Sequence, residues 1–492
     1  MVCIGAGVAA LTLPAVGLGS TRAAAAVTGT SCQWSVVDAP SGALPYANRL
    51  EAVVSLAAND AWAVGWLGGQ AAIEHWDGTA WAITPIPSVA GASQSRLLGI
   101  DASSPSDVWA VGYAITSSYH TLTMHWNGSV WAIVASPDQS FPGQTVINAL
   151  NDVAVLAPND VWAVGGDIRN FNAQASEALL MHWDGTNWTL ATPPDESFNT
   201  ASASRFAIDG VSSSDVWALG TIGELRWNGS RWAYAGNTSQ ATLGVSAIAT
   251  NDVIAVGTTP GVVLSEGGQI PPSPFATRWN GTLWTPTQLP YVDGVKGFGA
   301  TSVRAVDARN ATDAWAVGST GKGTYVAHLD ATGWTQTPSP DAATNYTSEF
   351  VHNDLFGVSA RAADDVWAVG EHVTTSGAEL PLVLHYTCGT NPPPPPVATL
   401  AAVALTPAST VGGTPSTVTI TLTAPAPAGG ATVVLRSSQT KATVPATAFV
   451  SAGATSTTVT VSTQRVASTR TATITATYGG LSRSATLTIT RR

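Results

Sequence analysis

Asp107-Val108-Trp109-Ala110-Val111-Gly112, followed after a gap by His125-Trp126-Asn127-Gly128-Ser129-Val130-Trp131, is one copy of a phrase that recurs along the chain. Its first half returns as Asp60 to Gly65, Asp160 to Gly165, Asp215 to Gly220, Asp252 to Gly257, Asp313 to Gly318 and Asp365 to Gly370. The spacing averages about fifty residues, within the range of propeller repeats. In the copy quoted, Leu97 to Ala102 reads as strand A and Ser103 to Asp107 as a turn. Val108 to Tyr113 reads as strand B, Leu122 to Trp126 as strand C, and Val130 to Ala135 as strand D. Apolar and polar residues alternate through them, as in sheets packed on neighbours. Asn127-Gly128 predicts a two-residue hairpin, because such turns need positive φ. Four-stranded units in tandem predict blades around an axis, so the expected fold is all-β, with a seven-bladed β-propeller.

The tryptophans follow the same count. Strand B carries Trp62, Trp109, Trp162, Trp217, Trp315 and Trp367, with Ile254 in the fifth unit. Strand C carries Trp76, Trp126, Trp183, Trp227 and Trp279, then Leu329 and Tyr386. Strand D carries Trp81, Trp131, Trp188, Trp232, Trp284 and Trp334. The seventh unit stops at Cys388 without a strand D, and the missing piece is Cys32-Gln33-Trp34 near the other end. Trp34 then places 18 of the 19 tryptophans and leaves only Trp66. The N-terminal strand should therefore close the last blade and remove an open edge. Cys388 and Cys32 flank the broken C–D hairpin, where a disulfide would replace the turn.

The pattern resembles kelch and galactose-oxidase-like propellers broadly. It more closely resembles the Trp-rich Asp-Val-Trp-Ala-Val-Gly propellers of secreted bacterial proteins. The resemblance covers about residues 32–389 and implies a fold, not an activity. A copper centre is not carried over, because both cysteines that remain after export are committed to closure.

Val8 to Gly17 is apolar and Ala23 to Ala26 offers a small-residue cleavage site, so residues 1–26 read as an export signal. Cleavage there would remove Cys3 and leave an even pair, suited to an oxidising compartment. The expected location is secreted, extracellular or at the cell surface. No other stretch is apolar enough to span a membrane. Residues 1–389 carry a net charge of −18 and residues 390–492 carry +7. An acidic major domain argues against a nucleic-acid partner, which would need a basic face.

Residues 390–397 form a Pro-rich linker in which Pro392 to Pro396 should make a stiff polyproline II spacer of about 15 Å. Residues 398–492 read as short Thr- and Val-rich strands separated by Gly-Gly turns, without cysteine. This segment resembles the immunoglobulin-like β-sandwich modules of bacterial surface proteins, which usually act as spacers. The two domains should fold independently, and the chain should be a monomer.

The repeat aspartates suggest a metal array but suit turns that accept backbone N–H groups. The histidines beside the strand-C tryptophans follow the repeat and read as structural. Gly318 to Gly323 lacks the spacing of a phosphate loop and reads as a turn. No hydrolase, zinc-protease or calcium-loop motif appears, so no catalytic residue, cofactor or metal is expected. The leading function is binding of an extracellular protein or glycan. A polysaccharide lyase or hydrolase, and a structural envelope component, are the alternatives left open. Recognition should sit on the face of the variable B–C and D–A loops, since variable loops on a rigid scaffold carry function. That face should hold Tyr119, His120, Arg169, Phe171, Glu371 and His372. Arg49, Arg96 and Arg205 open strand A in their units, with Asp354 at the matching place in the seventh. They should gather at the channel mouth. There they either pair with Glu51 and Asp354, or receive a carboxylate or sulfate.

Overall fold

The structure, a computed structural model, describes residues 31–491 except 43–46, 170–171, 195–204, 222, 237, 239, 260–261, 264–268, 271, 292–300, 344–350, 390–398, 425, 427–430, 452–453 and 479–480. Side chains are described except at 31, 167–169, 172–177, 205, 262–263, 269–270 and 389. The export segment, the proline run and Phe171 therefore lie outside the described residues. Among the described residues every regular element is a strand, and no helix is long and apolar enough to cross a membrane.

Asn48–Ala57, Asp60–Leu67, Gln70–Trp76 and Trp81–Ile83 form one antiparallel sheet in the order A-B-C-D. The next two are Gln94–Ser104, Asp107–Ile115, Tyr119–Trp126 and Trp131–Val134, then Val146–Ala157, Asp160–Arg169, Asn172–Trp183 and Trp188–Leu190. A single parallel bridge, Ile147 to Tyr119, joins those two. Arg205–Ser212, Asp215–Gly220, Leu225–Trp227 and Trp232–Tyr234 follow. Then come Thr242–Ala249, Asp252–Thr259, Ser273–Trp279 and Trp284–Thr287. Ser302–Asn310, Asp313–Ser319, Thr324–Asp330 and Gly333–Gln336 come after them. The last sheet takes strands A to C from His352–Ala362, Asp365–Val373 and Glu379–Gly389, and its fourth from Ser31–Val37. Each strand A touches strand A of the next sheet, and His352–Ala362 touches Asn48–Ala57, so the ring closes. This is a β-propeller, closed as the tryptophan count predicts: Trp34 pairs with Tyr386, and Cys32 with Cys388 in a disulfide.

Three devices built from the repeat hold the ring. The first explains the glycine of the phrase. Between Leu97 and Gly99 the A–B register slips, and it slips at the equivalent place in the other sheets. The bulge pushes a strand-A carbonyl against strand B. A Cβ on Gly112 would lie 2.0 Å from the Arg96 oxygen, and one on Gly65 would lie 1.9 Å from the Arg49 oxygen. No side chain fits there.

The second device is aromatic. Trp109 packs on Trp183 and edge-on against Trp188 of the following sheet, with centroids 5.0 and 5.3 Å apart. Trp62, Trp162 and Trp217 repeat the arrangement. Trp315 meets Trp34, and Trp367 meets Trp81, so the closing junctions use the same contact. Such pairs contribute about 0.5–1.5 kcal/mol beyond their buried area.

The third is a set of inner latches. Asp101 accepts the Val155 N–H of the next sheet at 2.6 Å, Asp209 that of Ala247 at 2.7 Å, and Asp307 that of Ala360 at 2.7 Å. Asp152 accepts the Ile208 N–H at 3.0 Å, and Ser246 and Ser359 do the same for Ala308 and Ser55. Burial pushes Asp101, Asp152 and Asp209 up to about 7, outweighing the N–H groups that favour the charged form.

Two local expectations need correction. Trp126 and Trp131 are register partners, so the C–D loop is four residues, Asn127 to Val130, rather than two. The Asn127 side chain accepts the N–H groups of Ser129 and Val130 and shapes that loop, with Gly128 at φ 89°. The repeat aspartates are structural, but their main partners are side chains. Asp60, Asp107, Asp160, Asp313 and Asp365 bond the Nε2 atoms of His75, His125, His182, His328 and His385. Arg226 and Arg278 substitute for histidine on Asp215 and Asp252. Each imidazole also lies against the strand-B indole, as His385 does on Trp367 at 3.7 Å. Thr320 to Gly323 is a tight turn, as read.

Beyond residue 399 two further sheets form. One orders Leu400–Thr406, Ser416–Leu422, Ser456–Thr463 and Ala442–Thr443; the other orders Ser409–Val411, Leu481–Thr490, Arg470–Tyr478, Ala431–Ser437 and Thr447–Val450. Alternate residues such as Val418, Ile420 and Leu422 of the first share a buried core with Val433, Leu435 and Ile474 of the second. The sheets thus lie face to face.

Candidate functional site

Arg49 and Arg96 begin strand A of neighbouring sheets, with Trp66 and Tyr113 as their register partners. Cross-strand partners share a sheet face, so each guanidinium starts beside an aromatic ring. The Arg96 guanidinium lies 4.2 Å from the Trp66 ring and 6.0 Å from Tyr113. Arg49 lies 5.1 Å from Trp66 on one side and 3.7 Å from Phe356 on the other. Arg304 lies 4.9 Å from Phe356. The result is a row, Arg96–Trp66–Arg49–Phe356–Arg304, crossing four sheets at one end of the ring. Trp66 and Phe356 are buried, whereas Arg304 is exposed. Cation–π contact holds each guanidinium while leaving N–H groups at its edge free to donate.

The acids are distributed unevenly. Arg49 Nε lies 2.7 Å from Glu51 Oε1, and its Nη1 lies 3.5 Å from Glu371 Oε1. Burial raises Glu51, opposed by Arg49. Arg304 also acts on Glu51 electrostatically, whereas Arg96 forms no ion pair with a carboxylate among the described residues. Arg49 thus pairs with Glu51, as one expectation had it, but with Glu371 rather than Asp354.

The other expected residues divide. Tyr119 packs on Tyr113 at 5.4 Å and borders the row. Burial raises the Tyr113 hydroxyl. His120 is bonded to Asp138 at 2.6 Å, so it anchors the start of strand C. Tyr119, His120, Glu371 and His372 lie in strands rather than loops. Asp354 and Glu371 are register partners and share a face with His352; His372, next in the strand, points to the opposite face. Its imidazole is lowered by burial. Arg205 is corrected by one residue: it pairs with Gly220, as Leu97 does with Gly112, so it aligns with that leucine and not with Arg96. Its side chain, that of Arg169, and Phe171 fall outside what is described. Reading the sequence missed Trp66, Phe356, Arg304 and His352. Trp66 alone carried a signal, as the tryptophan that the repeat could not place.

No family model matches the chain, and no curated protein matches it. Among solved structures it is similar to a fungal lectin of six-bladed β-propeller fold with fucose recognition, from Aleuria aurantia. That match has 14% identity and a TM-score of 0.39, covering 63% of this chain and 100% of the lectin. An α-L-arabinanase of Penicillium chrysogenum matches at 12% identity and a TM-score of 0.41, over 73% and 98%. A protein of unknown function from Dyadobacter fermentans matches at 10% and 0.42, over 74% and 100%. At such identities the likenesses say nothing of a ligand or an activity.

Proposed function

We propose that the chain is an exported binding protein: a seven-bladed propeller that recognises an acidic glycan at one mouth of the ring, carried by an immunoglobulin-like sandwich. The observation that carries this reading is Arg96, stacked on Trp66 with no carboxylate partner among the described residues. A guanidinium fixed by an aromatic ring suits a carboxylate or sulfate, which it can engage bidentately. The aromatic margin of Tyr113 and Tyr119 suits the apolar faces of sugar rings. The Cys32–Cys388 disulfide supports an oxidising compartment.

The test is an array of uronate-containing, sulfated and neutral glycans probed with the wild-type chain and with Arg96→Ala. Binding confined to the anionic set, weakened by salt and cut at least about tenfold by the substitution, is expected. Equal binding of neutral glycans, or an unchanged Arg96→Ala, would end the proposal. A thermal melt of the variant separates lost recognition from lost folding.

A further inference from the structure

We infer that His352, Asp354 and Glu371 form a site for one first-row divalent cation of the zinc type. His352 and Asp354 are two residues apart on one strand and therefore share its face. Glu371 is the register partner of Asp354 on the next strand. One donor atom from each lies within 4.8 Å of the other two. His352 Nε2 is 3.5 Å from Asp354 Oδ2 and 3.8 Å from Glu371 Oε1. These spacings are long for hydrogen bonds. They are close to the distance of about 3.3 Å between ligand atoms on a tetrahedral ion with bonds near 2.0–2.1 Å. Small side-chain rotations would close the set.

A second observation points to the same place. Glu371 is 6% exposed, and its Oε2 has no hydrogen-bond partner among the described residues. A buried carboxylate oxygen without a partner is costly; the oxygen paired with His352 is Oε1, so an ion held by both oxygens of Glu371 would satisfy Oε2 as well. His352, with its side chain 33% exposed, gives solvent access. Arg49 reaches Glu371 but is also held by Glu51 and Phe356, and Asp354 has no lysine or arginine partner among the described residues. One imidazole and two carboxylates are borderline-to-hard donors that suit zinc or manganese. Three protein ligands leave a coordination position open. The ion site stands whether or not Arg96 and Arg304 take an anion.

The full chain, stripped with EDTA, is dialysed to equilibrium against micromolar Zn²⁺ and the bound metal counted by mass spectrometry. About one ion per chain is expected. His352→Ala and Asp354→Asn should each weaken binding at least about tenfold, with melting curves of the metal-free variants like the wild type. Co²⁺ loaded in place of Zn²⁺ should give a visible absorption band that His352→Ala abolishes. Arg96→Ala should leave metal binding unchanged, which keeps this result separate from the glycan assay. No bound ion in the wild type, or equal binding in both ligand variants, overturns the inference.

Discussion

Replacing Glu74 with methionine should stabilise the protein, and the gain should grow with pH. Glu74 is fully buried, and neither carboxyl oxygen has a hydrogen-bond partner among the described residues. It is the register partner of Ala63, which packs in one cluster with Trp367, Val369 and Val383 of the closing sheet. The acid therefore faces the junction where the ring is sealed. The corresponding strand-C residues are Met124, Met181, Leu225 and Leu384 in four of the other six sheets, with Thr277 and Ala327 in the remaining two, so an apolar side chain of that length is accommodated at this place in the repeat. Burial pushes Glu74 up to about 8.

A raised carboxyl favours its neutral form in the folded state. Its contribution is whole below the unfolded value of 4.5 and is lost as pH climbs through about 8. Across that window the folded chain holds a proton the unfolded chain has released. Stability from this residue then falls by about 1.4 kcal/mol per pH unit, or on the order of 3 kcal/mol by neutral pH. Methionine removes that slope and adds apolar burial of roughly 1–2 kcal/mol at nearly the same volume. Urea unfolding of both proteins from pH 5 to 9 measures the difference directly. A gain that widens with pH is expected. A difference that stays flat with pH, or a methionine variant less stable than wild type at pH 8.5, would refute the reasoning.

Two further outcomes follow from the ring. Gly112→Ala should cost roughly 2–4 kcal/mol, because its Cβ would meet the Arg96 carbonyl oxygen at 2.0 Å; a melt within a degree of wild type would contradict the bulge geometry. Reducing the Cys32–Cys388 disulfide should lower stability by up to about 5 kcal/mol and loosen Ser31–Val37, read as faster amide exchange confined to the last sheet; unchanged exchange there would show that pairing alone holds the strand.

Much of this fold was readable because the repeat carries its own register. The tandem phrase placed strands A to D, and the unmatched Cys388 and Cys32 located the closing strand. What escaped reading depends on register across strands. The one-residue bulge after Leu97 decides that Arg205 aligns with a leucine, and nothing in the 12- or 13-residue spacing to the tryptophans reveals it. The histidines at 75, 125, 182, 328 and 385 were visible in strand C, but their bonds to the turn aspartates require knowing that strands B and C pair. His352 and Glu371 are nineteen residues apart and become neighbours only through the A–B hairpin. The arginine–aromatic row joins strands from four sheets, so no local pattern announces it.

The disulfide also bears on how the molecule answers a pull. Tension arriving from the C-terminal module enters the ring at Gly389, one residue beyond Cys388. A strand ending at a free sheet edge would unzip from there, one hydrogen bond at a time. Glu379–Gly389 instead lies between Asp365–Val373 and Ser31–Val37, and its last residue but one is covalently tied to the outer strand. Peeling is blocked at its first step. The two strands answer the pull as one linked pair, which must leave Asp365–Val373 together.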